Sequence, residues 1–274
     1  MSRSHVVSIV TVGMNHLPLL KQYLHSLFVQ NRPTVNFELV YVDNCSTDGS
    51  VEYIREHYPA VKIIENHKVR GFSENNNIGV KNSSGEYVAI INPDVMVLKG
   101  SIDHMCRYLA RNPDMGIVVP KLLNPDMTTQ HSVRRFINAR ILLFRLMYRG
   151  RDNVNNKIID QYLLKDFDRD KIQPVDWALG AAMFMSRKLY NELKGFDEDY
   201  FLYVEDVDLC LRNWKKGKPV IYYPESAMIH AHQRSSARGI FNKSRRLHLK
   251  SMFIFFMKHN IWLKGYSFMN RASI

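Results

Sequence analysis

The stretch VVSIVTV at residues 6–12 decides the fold class of this chain. It is a continuous apolar run of mostly β-branched residues, which is typical of a strand buried on both faces of a parallel sheet. Apolar residues at helical spacing follow at 17–30, and a second buried strand, FELVYV, follows at 37–42. A helix at 51–57 and a short strand at 61–64 repeat the alternation. This pattern predicts an α/β fold with a mostly parallel central sheet flanked by helices.

The same alternation continues with a helix at 75–83, a strand at 87–91, a helix at 101–112 and a strand at 115–119. Open sheets of this kind bind ligands at the carboxyl ends of their strands, so site residues are expected at that edge. Asp43 directly follows the second strand. Its carboxylate would accept hydrogen bonds from a ligand, or it would close its own polar turn.

Two further polar groups follow the strands of this first third. RGFSENNN at residues 70–77 places a glycine before an asparagine-rich helix start, which offers N–H groups to an anion or simply caps the helix. Asn92-Pro93-Asp94 ends the fourth strand, because proline cannot donate to a β-ladder. Asp94 would hold Mg²⁺ or Mn²⁺ together with phosphate oxygens, or belong to an ordinary turn. Dinucleotide dehydrogenases and P-loop NTPases are disfavoured, because neither glycine-rich phosphate motif occurs.

YVEDVDLCLR at residues 203–212 places Glu205, Asp206 and Asp208 inside an otherwise apolar run. Desolvating a carboxylate costs several kcal/mol, so three together indicate a metal, a substrate hydroxyl or an arginine nearby. The run precedes an amphipathic helix predicted at 209–216. Capping of that helix by Glu205 and Asp206 is the alternative interpretation.

The remaining candidate residues lie on both sides of this acidic run. Trp177 beside Gly180 would stack on an acceptor sugar, or pack in the core. His230 and His232, after a strand at 219–223, share a face in extended chain and suit Mn²⁺ beside carboxylates. Arg234 follows them as a candidate diphosphate contact.

Composition describes a globular chain with a basic surface. The 274 residues carry a formal net charge of +12, which indicates an anionic partner. Three cysteines without metal spacing and no signal-peptide pattern favour a cytoplasmic protein with reduced thiols. No apolar run is long enough to span a bilayer, but residues 241–274 form a basic, apolar segment. That segment is expected to form a helix that lies on a membrane surface or docks on the core.

The ordered set of motifs resembles the family 2 glycosyltransferases, and more narrowly their bacterial rhamnosyltransferase-like branch. VDNCSTDGS, GFSENNNIGV, NPDV, GFDEDYFLYVEDVDLCLR and IHAHQRSS carry the resemblance, which covers nearly all of residues 6–240. It implies a GT-A fold, a nucleotide-sugar donor, Mg²⁺ or Mn²⁺ as cofactor, and inversion at the anomeric carbon. Departures are Arg70, Gly13-Met14, and Asn92 in place of an acid of the DxD motif.

The resemblance also implies roles for individual residues. Asp206 matches the catalytic base, and Glu205 is expected to help place the acceptor, together with Trp177 and Gly180. Asp94 and His230 match the metal-binding positions, with His232 a weaker match. The expected donor-binding residues are Thr11, Asn15, Asp43, Gly71, Phe72, Asn77, Asn92, Asp94 and Arg234. The enzymatic interpretation requires Asp206 and Asp94 to face each other across one cleft.

The resulting expectation is an inverting, metal-dependent glycosyltransferase with a GT-A domain at 1–240, divided into a nucleotide-sugar half at 1–96 and an acceptor half at 97–240. Rhamnose from dTDP-rhamnose is the expected donor, with UDP-hexose, UDP-N-acetylhexosamine and UDP-galactofuranose as alternatives. The acceptor is expected to be a saccharide or lipid-linked saccharide in cell-surface polysaccharide synthesis. A non-catalytic binding protein stays open as another class, while nucleic acid is not expected as a partner. The expected location is the inner face of the bacterial cytoplasmic membrane, with a homodimer left open.

Overall fold

The computed structural model describes residues 6–148, 150–151, 154–231, 243–260 and 268. Its strands are β1 (Val7–Gly13), β2 (Phe37–Asp43), β3 (Lys62–Glu65), β4 (Tyr87–Ile91), β5 (Val95–Val97), β6 (Val118–Leu123), β7 (Val133–Arg134), β8 (Gln173–Val175), β9 (Trp177–Ala178), β10 (Ala182–Ser186) and β11 (Val220–His230). Its helices are α1 (Leu17–His25), extended by a π-helical turn (Ser26–Gln30), α2 (Ser50–His57), α3 (Phe72–Lys81), α4 (Ser101–Arg111), α5 (Ala139–Met147), α6 (Lys157–Tyr162), α7 (Arg187–Glu192), α8 (Glu205–Lys215) and α9 (Lys243–His259).

One mixed sheet of nine strands organises the described residues, in the order β3-β2-β1-β4-β10-β6-β11-β5 with β8 also paired to β11. The pairs among β1 to β4 are parallel, and β10 runs antiparallel to both β4 and β6. A separate ladder joins β7 to β9. The predicted α/β fold with a mixed, mostly parallel sheet is confirmed, and this sheet takes strands from both expected halves of the chain.

Both faces of the sheet are buried, which explains why its central strands read as continuous apolar runs. Val10 of β1 packs in one core cluster with Leu209 of α8 and Phe255 of α9. Ile9, pointing to the opposite face, packs in a second cluster with helix residues such as Leu20 of α1. The sheet is therefore covered by helices on each side, and its strand ends are left for ligands.

Several boundaries differ from those predicted, and each difference has a local cause. Helix α8 begins at Glu205 rather than at 209, so the acidic residues occupy its first turn. Helix α2 begins at Ser50 rather than at 51, directly after Gly49, whose φ is 83°. The side chain of Asp48 binds the first residue of this helix. Its Oδ1 accepts hydrogen bonds from Ser50 N (3.1 Å) and Ser50 Oγ (2.6 Å).

The C-terminal helix α9 docks on the core. Met252, Phe255 and Phe256 are buried against it, and Ser251 Oγ donates to Leu202 O at 2.9 Å. Among the helices that the structure describes, none has both the length and the apolar character needed to span a bilayer.

Candidate functional site

The first part of the site is the carboxyl edge of β1 and β2, where Gly13 and Asp43 lie opposite each other. Asp43 is buried, and its Oδ2 accepts from Ser46 N at 2.9 Å, while its Oδ1 has no hydrogen-bond partner among the described residues. Tyr41 fills the space beside Gly13, since a Cβ on Gly13 would lie 2.1 Å from the phenol oxygen. Burial, and then the charge of Asp43, raise the pKa of Tyr41, so the phenol stays neutral. The edge thus offers an unpaired carboxylate oxygen beside an aromatic ring.

Asp94 and His230 form the second part of the site. His230 Nε2 lies 3.5 Å from Asp94 Oδ2, and in the part of the chain that the structure describes Asp94 Oδ1 is buried without a hydrogen-bond partner. The other ring nitrogen, His230 Nδ1, lies 2.7 Å from Gln130 Oε1. Because an amide oxygen only accepts, Nδ1 carries a proton, and Nε2 is the ring nitrogen on the side of Asp94 that could bind a metal. A second hydrogen bond of this kind orients many metal-binding histidines.

The pair Glu205 and Asp206 forms the third part of the site, at the start of α8. Asp206 Oδ2 accepts from Gly180 N at 2.9 Å, and its Oδ1 accepts from Val207 N at 2.8 Å. Glu205 is buried, and no described residue gives its Oε2 a hydrogen bond. Tyr203 and Val204, immediately before the pair, have left-handed backbones with φ 70° and 72°. Side chains other than glycine and asparagine rarely adopt this conformation, and such strain concentrates at functional sites.

Burial changes the acidity of both carboxyl groups. Desolvation, followed by the charge of Asp206, raises the pKa of Glu205 well above its usual range. Desolvation also raises the pKa of Asp206, while the backbone hydrogen bonds from Gly180 and Val207 and the charge of Arg134 oppose that rise. A carboxylate with a raised pKa is a stronger proton acceptor, which suits a general base.

The segment Gly180-Ala181 joins the second and third parts of the site. Gly180 N donates to Asp206, and the next residue, Ala181, accepts at its carbonyl oxygen from Asn92 N at 2.9 Å. Asn92 in turn accepts at its own carbonyl oxygen from Val95 N, which closes the turn that carries Asp94. Two adjacent residues therefore contact both the turn of Asp94 and the carboxylate of Asp206.

Asp208, the third acid of the run, points elsewhere. It is fully buried, and its Oδ2 accepts from Arg212 Nε at 2.7 Å. Its Oδ1 lies 2.7 Å from Nε2 of His259, at the end of α9. The expected arginine partner is therefore present for Asp208, which joins α8 to the C-terminal helix.

Two expected donor-binding residues of β1 and its loop have protein partners. Thr11 is fully buried, and its hydroxyl lies 2.8 Å from Ile91 O and 2.9 Å from Tyr23 Oη. Asn15 is exposed, and its Oδ1 accepts from Thr47 N at 2.8 Å, which links the loops after β1 and β2. A direct donor contact by Thr11 stays a prediction that these hydrogen bonds do not favour.

The asparagine-rich start of α3 is likewise occupied by protein contacts. Asn77 Nδ2 donates to Phe196 O at 2.9 Å, and its Oδ1 accepts from Tyr190 Oη at 2.6 Å. Phe72 packs edge-on against Phe196, with ring centroids 5.8 Å apart. Gly71 lies against the backbone of Phe201, where an added Cβ would meet the carbonyl oxygen at 2.8 Å. Contacts of these three residues with the donor stay predictions, and Arg234 lies outside the described residues.

On the acceptor side, Trp177 is buried and its Nε1 donates to Arg135 O at 2.7 Å. Arg134, opposite Trp177 in the β7–β9 ladder, lies 5.5 Å from the centroid of the tryptophan ring. The motifs did not single out Arg134 or Gln130, and only the basic character of the surrounding segment gave a signal for Arg134.

The residues fit the divalent metal that the family resemblance implies. In the described part of the chain, no group of three or more His, Cys, Asp or Glu side chains is arranged to hold a metal. Asp94 and His230 nevertheless offer one unpaired carboxylate oxygen and one oriented imidazole. Mg²⁺ is commonly held by one or two protein ligands with substrate phosphates and water completing the shell. The arrangement fits a metal shared with a bound diphosphate.

Comparison with known proteins gives concordant matches. A family model described as "Glycosyl transferase family 2" matches residues 8–167. An N-acetylglucosaminyl-diphospho-decaprenol L-rhamnosyltransferase of Mycobacterium tuberculosis is 28% identical over 95% of this chain and 87% of its own length. Rhamnosyltransferase WbbL of Escherichia coli is 28% identical over 93% of this chain and 94% of its own length.

Among solved structures, the mannosyltransferase PcManGT of Pyrobaculum calidifontis, in complex with GDP-Man and Mn²⁺, matches with a TM-score of 0.62. The match has 20% identity and covers 98% of this chain and 68% of that one. At this identity the likeness establishes the fold, which confirms the GT-A architecture.

Proposed function

The chain belongs to glycosyl transferase family 2, and from that premise we propose that it transfers rhamnose from a nucleoside diphosphate donor to a saccharide hydroxyl in cell-surface glycan synthesis. The relatives named rhamnosyltransferases, which match over nearly their whole length, support the choice of sugar. The single observation that carries the chemistry is the Gly180-Ala181 segment, because it contacts both the carboxylate of Asp206 and the turn of Asp94.

Asp206 is proposed to act as the general base. Its desolvated carboxylate would take the proton of the acceptor hydroxyl as that oxygen attacks the anomeric carbon opposite the diphosphate, which inverts the configuration. Backbone hydrogen bonds from Gly180 and Val207 fix the orientation of the carboxylate before the acceptor arrives. Glu205, buried directly beside it, would contribute a hydrogen bond to the acceptor through its unpaired Oε2.

The donor is proposed to lie along the carboxyl edge from Asp43 to Asp94. The unpaired Oδ1 of Asp43 would accept a hydrogen bond from the base or ribose. Asp94 and His230 would hold the metal, which neutralises charge on the departing diphosphate. Gln130 would keep the imidazole of His230 oriented for this contact.

A thermal-shift screen tests the donor assignment. Ligand binding raises the unfolding temperature by mass action, so dTDP-rhamnose with Mn²⁺ should give a larger shift than UDP-sugars or GDP-sugars. Release of free rhamnose and dTDP by slow donor hydrolysis should accompany the shift. A larger shift with a UDP-hexose would identify that hexose, rather than rhamnose, as the donor sugar. No shift with any nucleotide sugar would contradict the enzymatic proposal.

The metal proposal has its own test. EDTA should suppress turnover, and Mn²⁺ or Mg²⁺ should restore it. Asp94→Asn should weaken Mn²⁺ binding, measured by electron paramagnetic resonance in the presence of nucleoside diphosphate. Asp114→Asn, which changes an exposed acid after α4, serves as the matched control. Undiminished activity in EDTA would remove the metal from the mechanism.

We further propose that α9 places the enzyme on a membrane surface. Leu249, Phe253 and Met257 recur every fourth residue on its outer side and are 45%, 60% and 59% exposed. Arg246 and Lys250 are exposed on the same helix, and a basic helix with outward apolar residues binds anionic bilayers. Phe253→Ser should reduce flotation with anionic vesicles. Val29→Ser, at a residue 62% exposed on the π-helical turn after α1, should leave flotation unchanged.

A further inference from the structure

The loop at residues 197–204 leads directly into the two acids at the start of α8, and two helices hold it. On one side, Phe72 N at the start of α3 donates to Phe201 O at 2.8 Å. On the other side, Ser251 Oγ of α9 donates to Leu202 O at 2.9 Å. Adjacent carbonyl groups of this loop are therefore bound by different helices, a few residues before the proposed base.

Helix α9 makes further contacts along the same loop. The ring centroids of His248 and Tyr203 lie 5.2 Å apart. Lys258 Nζ lies 2.5 Å from a carboxylate oxygen of Asp197 and 2.5 Å from one of Asp199. The C-terminal helix therefore contacts this loop both near its first residue and near its last, which is more than docking on the hydrophobic core requires.

The end of the loop has a backbone conformation that its own residues disfavour. Tyr203 and Val204 have φ 70° and 72°, in the left-handed region, which bulky and β-branched side chains rarely adopt. Such a conformation persists only where the surrounding structure over-determines it. The carbonyl group that Ser251 binds belongs to Leu202, directly before these two residues. The hydrogen bond from α9 is therefore placed to supply part of that constraint.

The position of the Asp206 carboxylate depends on where this turn places the start of α8. Its Oδ1 accepts from Val207 N of the same helix, and its Oδ2 accepts from Gly180 N of another segment. A displacement of the helix start would carry Val207 along with Asp206, so the first bond would survive. The bond from Gly180 would lengthen, because its donor lies outside the helix. That bond therefore reports on the position of the carboxylate.

We propose that Ser251 is a positioning residue for the reaction, because its hydrogen bond to Leu202 holds the left-handed turn, and through the turn the carboxylate of Asp206. The inference rests on the proposed function of Asp206 as general base. It gives α9 a role that does not require a bilayer, since Ser251 is buried while the apolar residues proposed to meet the membrane are exposed. Displacing a catalytic group lowers the rate of the chemical step rather than the affinity for the donor.

Hydrolysis of dTDP-rhamnose with Mn²⁺, measured without vesicles, provides the first test. In Ser251→Ala, kcat should fall about 10-fold while KM for dTDP-rhamnose stays the same. Ser226→Ala is the matched control, because Ser226 is also buried and its Oγ donates to a backbone carbonyl, Ser101 O, at 3.0 Å. Each variant should lose about 2–4 °C in unfolding temperature, but only Ser251→Ala should lose rate. Equal kcat values for the two variants would overturn the proposal.

Amide hydrogen exchange, measured by NMR, tests the inference without any substrate. The Gly180 amide is protected by its bond to Asp206 Oδ2, so its exchange rate reports whether that carboxylate stays in place. In Ser251→Ala this amide should exchange about 3- to 10-fold faster than in the wild type, and in Ser226→Ala it should exchange as in the wild type. An unchanged Gly180 amide in Ser251→Ala would overturn the positioning role. Absence of donor hydrolysis by the wild type would contradict the proposed function alone.

Discussion

Helices α3 and α8 begin close together, since Phe72 N at the start of α3 donates to Phe201 O in the loop before α8 at 2.8 Å. The two starts differ in how they use their polar groups. Asn75 Nδ2 and Asn76 Nδ2 donate to backbone carbonyls one turn earlier, at 2.9 Å each. At the start of α8, by contrast, Glu205 keeps an unpaired buried oxygen behind two left-handed residues. The asparagine-rich start stabilises the scaffold, whereas the acidic start leaves an acceptor oxygen for the proposed contact with the acceptor.

The largest expected effect comes from removing the proposed base. Asp206→Asn keeps the size of the side chain but offers only one acceptor oxygen to the two backbone N–H groups, and its amide cannot take a proton, so transfer should fall about 10²- to 10⁴-fold. The donor-induced thermal shift should persist. Glu74→Gln, an acid in the first turn of α3 that pairs with Arg70, is the matched control and should retain most activity. A fully active Asp206→Asn enzyme would exclude Asp206 as the base. The acidic start of α8 would then have no catalytic role to contrast with the structural role of the start of α3.

The contact between the two helix starts should be intolerant of one added methyl group. In Gly71→Ala, the new Cβ would lie 2.8 Å from Phe201 O and 2.9 Å from its Cα, and backbone atoms cannot move aside cheaply. We expect the free energy of unfolding in urea to fall by about 1–3 kcal/mol, as in other overpacked sites.

Gly180→Ala, beside the carboxylate of Asp206, makes the opposite prediction. Its Cβ would lie 3.2 Å from Asp206 Cβ, so the carboxylate must shift by a few tenths of an ångström. Activity should fall about 10-fold with little change in stability, because misplacement of a catalytic group is costly to rate. If the free energy of unfolding fell and activity did not, the Gly180-Ala181 segment would have only a structural role, like the start of α3.

The sequence predicted the fold correctly, whereas the roles of the acids and of the asparagines stay predictions. Alternating strands and helices fixed the α/β sheet because the two buried faces demand continuous apolar strands. The acids at 43 and 94 stood out because they follow strands, at the edge where such sheets bind ligands, and those at 205–206 because carboxylates in an apolar run need an explanation. Asn77 looked like a ligand residue, yet its partners Tyr190 and Phe196 are more than a hundred positions away along the chain. Arg134 and Gln130 were missed for the same reason, since their roles depend on tertiary neighbours.

Asp208 offers a control within α8 itself, because it is a buried acid whose oxygens are paired. His259→Ala removes the partner 2.7 Å from Asp208 Oδ1 and leaves a buried carboxylate with less compensation. We expect a loss of about 1.5–3 kcal/mol in the free energy of unfolding, the usual value of a hydrogen bond to a charged group. Lys258→Ala, which removes half-exposed ion pairs to Asp197 and Asp199, should cost less than about 1 kcal/mol. Equal costs for the two variants would show that Asp208 does not depend on α9.

The smallest expected effect is the change in folding stability that the buried carboxyl group of Glu205 causes. Because desolvation raises its pKa in the folded state, the folded protein holds this proton more tightly than the unfolded chain does. The carboxyl therefore favours folding most below its unfolded pKa of about 4.3, and that contribution is lost as the pH rises toward the raised folded value.

Glu205→Gln removes this titration, so its unfolding temperature should fall less than that of the wild type as the pH rises from 4 toward neutrality. At neutral pH the variant should be more stable by about 1 kcal/mol, the lower end of the cost of an unsatisfied buried polar group. Its transfer rate should nevertheless decrease, because the proposed contact with the acceptor is altered. A Glu205→Gln variant less stable than the wild type at neutral pH would show that this acid belongs to the scaffold, as the asparagines of α3 do.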